Sequence, residues 1–358
     1  MKPIAYLIGF CLYYSGLFRL AISIRKRCVK ILTYHDIAEK ENSFVRGMRI
    51  SLTPRVFERH LQFLQKHYSV VPLKTALAGM QTPGTADRYV CITFDDGYAS
   101  IARNALPLLS EFGFSATAFL VGKCAVGREV MWRNRLAFLL CEHGGRAQAA
   151  LARATVEFDP SLAKAIESAP SVGALRLSKN LQMLRPLVEV ESMLSRLEGD
   201  LPCIAEKPYL SDQELVELAN GGVVLANHSY SHAEFNWLTP DQIESELKPW
   251  YREHHGNTPS EMTFFSLPFG HRLRNHALVK EIAVRLGTRC ILFSNGLDNP
   301  PKTDPYCLGR QHLISSKFYR IFTELEVLPV LRRYSKLLLK LLRTEGPTTE
   351  DWRPVQGP

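Results

Sequence analysis

Two short stretches of this chain carry side chains that can move protons or hold a metal ion. Cys91-Ile92-Thr93-Phe94-Asp95-Asp96-Gly97-Tyr98 ends an apolar, strand-like run on a pair of adjacent carboxylates. Side chains alternate along an extended chain, so neighbouring aspartates at a strand terminus point in different directions. One can bind a cation while the other faces a substrate, and the shared cation offsets their repulsion. Taken alone, Asp-Asp-Gly is also an ordinary turn. The second stretch, Ala226-Asn227-His228-Ser229-Tyr230-Ser231-His232, has histidines at i and i+4, a spacing that puts both imidazoles on one face of a helical turn. An aspartate with two histidines supplies three N/O ligands and leaves positions for water or substrate, the layout of a catalytic metal site. Such a site makes water nucleophilic near neutral pH, and a second carboxylate can take its proton. A third stretch, Phe264-Phe265-Ser266-Leu267-Pro268-Phe269-Gly270, is an apolar strand closed by a turn.

Each of these stretches sits where a strand is expected to end. Apolar runs at 29–34, 89–94, 116–121, 223–226, 263–266 and 290–293 read as strands, with 70–73 a short strand or turn. Between them lie helical patterns: one places Phe57, Leu61 and Leu64 on a single face, and others cover 101–112, 241–251 and 276–286. Strand–helix alternation of this kind predicts an α/β fold with parallel strands. The stretch 131–206 breaks the rhythm. It is helix-forming and rich in arginine (Arg133, Arg135, Arg146, Arg153, Arg176, Arg185, Arg196), and reads as a helical insertion in one connection of the core.

The chain has 358 residues, enough for one barrel-sized domain or two small ones. With 46% apolar and 22% charged residues, it is neither disordered nor collagen-like. A net charge of +9 and a pI near 9.1 suit nucleic acid, anionic lipid or acidic glycan equally. No nucleic-acid module or aromatic-basic interleave supports the first of these. The 8 cysteines never form a C-x-x-C pair, which argues against a structural zinc ribbon or finger. Cys91 and Cys11 lie in apolar runs and read as buried thiols. No disulfide framework is expected, which leans towards a reducing compartment.

The ends are distinctive. Residues 4–18 are largely apolar, Arg19 interrupts, and 20–24 resume, a marginal length for a membrane span. Lys2 stands before this segment and Arg25, Lys26, Arg27 and Lys30 follow it, so a span would leave the remainder on the cytoplasmic side. Membrane association at the cytoplasmic face of the cell membrane is the expectation; a buried or interfacial amphipathic helix is the alternative. Residues 327–343 are leucine-rich, with Arg332, Arg333, Lys336, Lys340 and Arg343. They read as a basic amphipathic helix for anionic headgroups or for packing on the domain, followed by a linker-like tail. The resulting organisation is an N-terminal apolar segment (1–28), a core (29–315) interrupted by 131–206, and a C-terminal helix and tail (316–358).

Thr93-Phe94-Asp95-Asp96-Gly97 followed by His228-Ser229-x-x-His232 resembles the first two motifs of the polysaccharide deacetylase family (NodB homology, carbohydrate esterase type 4). Supporting segments are Ile31-Leu32-Thr33-Tyr34-His35-Asp36, Gly113-Phe114-Ser115-Ala116-Thr117-Ala118-Phe119 and Leu267-Pro268-Phe269-Gly270, so the resemblance covers roughly 29–130 and 207–315. It implies a distorted (β/α) barrel, usually of seven strands, with the site at the C-terminal ends of the strands. By the same resemblance Asp96, His228 and His232 bind a divalent metal, zinc, and Asp95 is the general base. The backbone N–H near Phe269 helps stabilise the oxyanion. Thr93 and Ser229 orient the ligands. Many relatives carry in the third motif an arginine that pairs with the catalytic aspartate; Ser266 stands there here, and Arg310 is the candidate replacement or, like Tyr98, a residue at the substrate or oxyanion. His312 is the candidate general acid. His35 and Asp36 read as structural or substrate-lining. Tyr98, Trp132, Tyr230, Phe235 and Trp237 lie near the motifs as either sugar-stacking or core residues.

The activity so implied is metal-dependent removal of the N-acetyl group from an amino sugar in a polysaccharide or lipid-linked glycan. The arginine-rich insertion could accept phosphates or acidic sugars. The alternatives are removal of an O-acetyl or formyl group from a lipid-linked sugar, or a catalytically inactive glycan-binding or assembly protein. The missing third-motif arginine favours the last, and the complete Asp-Asp and His-x-x-x-His set opposes it.

Overall fold

In the computed structural model, which describes residues 2–24, 28–81, 88–178, 181, 185–200, 207–250, 260–270 and 273–334, the apolar runs become strands of one parallel sheet. The strands are β1 (Lys30–Tyr34), the short pair β2 (Asp36–Ile37) and β3 (Ser51–Leu52), β4 (Ser69–Val70), β5 (Tyr89–Phe94), β6 (Ala116–Leu120), β7 (Val223–Asn227), β8 (Ser260–Ser266), β9 (Cys290–Phe293) and β10 (Leu308–Gly309). The main sheet runs β1-β5-β6-β7-β8-β9-β10, with β4 against the start of β5. Beyond β10 the chain returns to the first strand. Gln311 N–H donates to the Ile31 carbonyl (2.8 Å), and Thr33 N–H donates to the Gln311 carbonyl (2.9 Å). Seven strands thus nearly close into a barrel.

The continuous apolar runs follow from burial on both faces of a parallel sheet. Ile31, Cys91, Phe119, Ala226, Phe264, Cys290 and Leu308, one from each of the seven strands, form a single buried cluster that fills the barrel. Neighbouring residues Leu32, Ile92, Ala118 and Leu225 point outwards, against Phe57, Leu61 and Leu64 of the helix Pro54–His67 and against Leu215 and Leu218. Thr53 caps that helix by accepting from Val56 N–H, with Pro54 in its first turn. The chain also forms a helix at Leu73–Gln81, which its pattern did not announce.

Residues 131–206 supply the helices Trp132–Thr155, Pro160–Ser168, Ser171–Ser178 and Leu187–Asp200. They bury their own apolar cluster around Leu136, Leu151, Ile166 and Leu194. At the N-terminus, helices Lys2–Tyr14 and Phe18–Ile24 are bent by 105° relative to one another, and no single described helix is long and apolar enough to cross a membrane. The first helix turns Ala5 and Gly9 onto the C-terminal helical stretch, where Thr323 leaves no space for a Cβ at position 9. Cys11, expected to be buried, lies off this small-residue stripe and is exposed. The C-terminal stretch is anchored by Tyr68 O–H to Glu326 (2.6 Å) and by the Lys30–Glu326 ion pair (3.2 Å). Of the expected basic helix only 327–334 falls within the described residues; Lys336, Lys340, Arg343 and the tail lie outside them.

His60 ties the helix Pro54–His67 to the barrel. The Ser315 carbonyl only accepts, so Nε2–H donates to it (2.9 Å) and Nδ1 takes the Tyr34 hydroxyl (3.2 Å). Burial pushes its pKa down to about 4. The unfolded chain therefore binds the extra proton first as pH falls. The stabilisation from neutral His60 is complete above pH ~6.5 and is lost between ~6.5 and 4, by about 2–3 kcal/mol at pH ~4.5. We predict that His60→Gln flattens the acid limb of a urea-midpoint-versus-pH profile by about one proton over that window.

Candidate metal centre

The site is assembled at the C-terminal mouth of the barrel from loops that leave three strands. Asp95 N–H still donates to the Tyr34 carbonyl (3.0 Å), so Asp95 keeps the sheet register of β5. Asp96 and Gly97 then take φ of 71° and 76°, and the chain turns sharply. His228 likewise continues β7, its N–H donating to the Leu120 carbonyl (2.9 Å). Past His228 the chain forms a loop rather than the helical turn suggested by the i, i+4 spacing. Ser229 and His232 have φ of 67° and 60°, which no α-helix accommodates. Side chains hold the loop in this shape. Asn227 Oδ1 accepts from Ser229 N–H (2.8 Å) and from the Trp250 indole N–H (3.2 Å), and Ser229 Oγ accepts from His232 N–H (2.9 Å). Of the 8 described non-glycine residues with positive φ, four (Asp96, Ser229, His232, Phe269) are in this site, which marks where backbone strain is stored.

The three residues expected to bind metal come together. His228 Nε2 and His232 Nε2 lie 3.5 Å and 3.6 Å from Asp96 Oδ1, and all three ligand atoms fall within 4.8 Å of one another. His228 Nδ1–H donates to the Ser266 carbonyl (2.7 Å), which fixes the tautomer and leaves the Nε2 lone pair facing Asp96. Two bonds of about 2.0–2.1 Å opened to a tetrahedral angle set ligand atoms about 3.3–3.4 Å apart, so this donor set fits a divalent ion such as zinc. Burial pushes His232 down to about 3, reinforced by the neighbouring His228, which keeps that ring neutral for ligation. Burial alone would raise Asp96, but the adjacent histidines hold it well below the usual carboxylate range.

Asp95, whose Oδ2 lies 3.8 Å from His228 Nε2, is held in a clamp. Arg310 Nη1 and Nη2 donate to Asp95 Oδ1 and Oδ2, both at 2.7 Å, and both residues are buried. Nη2 also donates to Ser294 Oγ (3.0 Å), while Ser266 Oγ donates to Asp95 Oδ2 (3.4 Å). Burial raises the Asp95 pKa, yet the Arg310 charge, aided by His228, outweighs it and holds Asp95 down at about 2. Arg310, expected either at the substrate or as the partner of Asp95, is fully buried above the Phe119 ring and serves Asp95. Thr93 donates to the Leu32 carbonyl (2.7 Å) and lies 3.5 Å from Arg310 Nη1, so it steadies the arginine rather than a metal ligand.

Both aspartates and both histidines line a cavity of ≈ 240 Å³, together with Phe269 and His312. The Phe269 ring meets His232 edge-on (4.8 Å), and His312 lies parallel to His35 (5.9 Å). The expectation that Tyr98 faces substrate does not hold. Its ring is buried against Tyr209, and its hydroxyl accepts from Asn134 Nδ2 (2.9 Å). Phe235 is core, Tyr230 is exposed, and Trp132 lines the cavity. The insertion contributes more than sequence reasoning assigned to it: the first turn of Trp132–Thr155 brings Arg133 and Asn134 to the cavity. Nothing in the local pattern set Arg133 apart from the other arginines of that stretch.

A family model described as polysaccharide deacetylase matches residues 82–174 and 187–291. The curated protein YxkH of Bacillus subtilis (strain 168) is 21% identical over 242 residues, which is 67% of this chain and 56% of that one. The chain thus spans about half the length of that relative. Among solved structures, IcaB from Ammonifex degensii has a TM-score of 0.51 at 15% identity, covering 83% of this chain and 97% of that one. BC0361, a polysaccharide deacetylase from Bacillus cereus, has a TM-score of 0.50 at 13% identity, covering 83% and 69%. At these identities the likeness is one of fold.

The buried pair makes a quantitative prediction. Arg310→Met leaves Asp95 as an uncompensated buried charge and lowers stability by about 3–5 kcal/mol, whereas Asp95→Leu with Arg310→Met recovers much of that loss. Urea unfolding of the two single variants and the double variant measures the coupling.

Proposed function

The chain belongs to the polysaccharide deacetylase family, whose model covers more than half of it, and from that premise we propose that it is a metal-dependent hydrolase removing the N-acetyl group from an amino sugar of a glycan. The observation that carries this reading is the side-by-side arrangement of the Asp96–His228–His232 trio and the Arg310-clamped Asp95 on one cavity. A divalent cation, zinc by donor type, held by the trio would acidify water and polarise the acyl carbonyl. Asp95 is ionised and turned to a fixed angle, and it takes the proton of the attacking water. A carboxylate this weakly basic would serve because an ion held by the trio would acidify the water it faces. Phe269 lines the same cavity, and in this reading its backbone N–H would receive the carbonyl oxygen as its charge develops. His312 lines the same cavity, where desolvation and the neighbouring His35 push its pKa down to about 3; in this reading it relays a proton to the departing amine. An inactive glycan-binding reading drew its support from the missing third-motif arginine. Arg310, reaching Asp95 from beyond β10, supports catalysis instead.

We also propose that the N-terminal helices seat the protein on a membrane, at the cytoplasmic face of the cell membrane, near a lipid-linked or nascent glycan. Ile4, Leu7, Phe10, Leu17, Leu20 and Ile24 are exposed large apolar residues on this bent pair. An apolar groove of ≈ 340 Å³ continues the face along Phe322 and Leu331. Water-exposed patches of that kind are uncommon in soluble proteins. Exposed Lys2, Arg19, Lys317, Arg320 and Arg333 suit an anionic headgroup layer.

Two experiments test these readings. Asp95→Asn should cut acetate release from N-acetylated glycans by about 10²–10⁴-fold while bound metal, measured by plasma mass spectrometry, stays at the wild-type ratio. Surviving turnover would reassign the base. For the membrane face, the full chain should sediment with phosphatidylglycerol vesicles and do so less in high salt. Leu7→Ser combined with Leu20→Ser should cut that partitioning by about tenfold or more; unchanged sedimentation would remove the face from consideration.

A further inference from the structure

We propose that the substrate carries a negatively charged group, phosphate or carboxylate, close to its acylamino group, and that Arg133 recognises it. This rests on the hydrolase reading above and names its substrate class. Arg133 reaches the catalytic cavity from the first turn of Trp132–Thr155. Among the described residues its Nε, shut off from solvent, has no hydrogen-bond partner, and its guanidinium makes no ion pair. Its neighbours differ. Arg135 meets Glu191 and Glu198, Lys123 meets Glu129 and Glu191, Arg128 meets Asp212, and Arg310 meets Asp95. Among the described residues Arg133, alone of this group, lines the cavity and makes no ion pair.

The carboxylates of the site do not supply one. Asp95 is committed to Arg310, and Asp96 belongs to the trio that fits a divalent ion. Counting Asp95, Asp96, Arg310 and a divalent ion, the loaded site is already net positive before Arg133 is added. Burial pulls the Arg133 pKa down, with Tyr98 and Asp96 only partly opposing it, as expected for a cation whose partner has yet to arrive. The helix that carries it begins at the cavity and adds the partial positive charge of its N-terminus. That first turn is rigid: Asn134 Nδ2 donates to the Phe44 carbonyl (3.1 Å) and to Tyr98 Oη, and Asn134 Oδ1 accepts from the Tyr209 hydroxyl (3.0 Å). A planar guanidinium carried by this turn matches two oxygens of a phosphate or carboxylate. The two sources to separate are a glycosyl phosphate and a uronate in the glycan.

The test compares three substrates on the metal-loaded full chain: a neutral N-acetylglucosamine oligomer, N-acetylglucosamine 1-phosphate, and an oligomer containing N-acetylated aminouronate. Rates of acetate release give kcat and KM, and calorimetry on Asp95→Asn gives binding without turnover. One charged substrate should bind about tenfold or more tighter than the neutral oligomer. Arg133→Gln should bring the charged-over-neutral preference to about one, mainly through KM, and Arg133→Lys should restore part of it. Equal binding of all three substrates, or a preference that survives Arg133→Gln, overturns the proposal. If no substrate releases acetate yet Asp95→Asn binds a charged sugar in an Arg133-dependent way, the hydrolase reading fails and the anion site stands.

Discussion

The architecture converges on one buried ion pair. Asp95 stands at the end of β5 and Arg310 just past β10, 215 positions apart in sequence, and the first strand lies between them. Asp95 N–H bonds to Tyr34 at the end of β1, while Gln311, next to Arg310, pairs with Ile31 and Thr33 of the same strand. Closing the sheet on β1 is therefore what brings the two charges together. Taking both out of water is expensive, and the bidentate geometry with further bonds from Ser266 and to Ser294 is what offsets that cost. A sheet left open at that seam would leave a buried aspartate with no cation.

Part of this was legible in the sequence, for physical reasons that can be named. The strands were visible because a parallel sheet buried on both faces demands unbroken apolar runs, and residues 89–94 and 290–293 obey that without ambiguity. The donor types and their positions after strand ends were visible as well. The backbone that aims them was not. The His-x-x-x-His spacing suggested a helical turn, yet Asn227, Ser229 and Trp250 impose a loop with left-handed residues, through contacts that spacing does not encode. Tyr98 looked like a substrate contact because it follows the aspartates. Its fate was decided by Asn134 and Tyr209, which arrive from 36 and 111 positions further along the chain. Cys11 was misjudged because hydropathy does not say which side of a helix finds a partner.

The insertion is tied into this same mouth. Its helices bury a cluster of their own, yet the first turn is fastened to the barrel through Tyr98, Tyr209 and Phe44. Asn134 accepts and donates in that network, so the residue before it on the helix is held at the cavity. A long excursion from the core costs little in closure entropy once it has its own packed interior. Fixing its first turn converts it into a wall of the cavity.

The exchange at the third motif shows how a site can keep its geometry while changing the origin of its parts. Ser266 stands on β8 in place of a long cation and gives only a hydroxyl contact to the carboxylate and a carbonyl for His228. The guanidinium comes instead from beyond β10, where Arg310 N–H pairs with the Phe293 carbonyl (2.8 Å) and its side chain lies over Phe119 inside the barrel. The proposed hydrolysis requires a carboxylate held ionised and at a fixed angle beside the proposed metal ligands, and two different strands can meet that requirement. The residue at 266 is therefore a poor guide to whether the site works. The occupant of the space beside Asp95 is the better one.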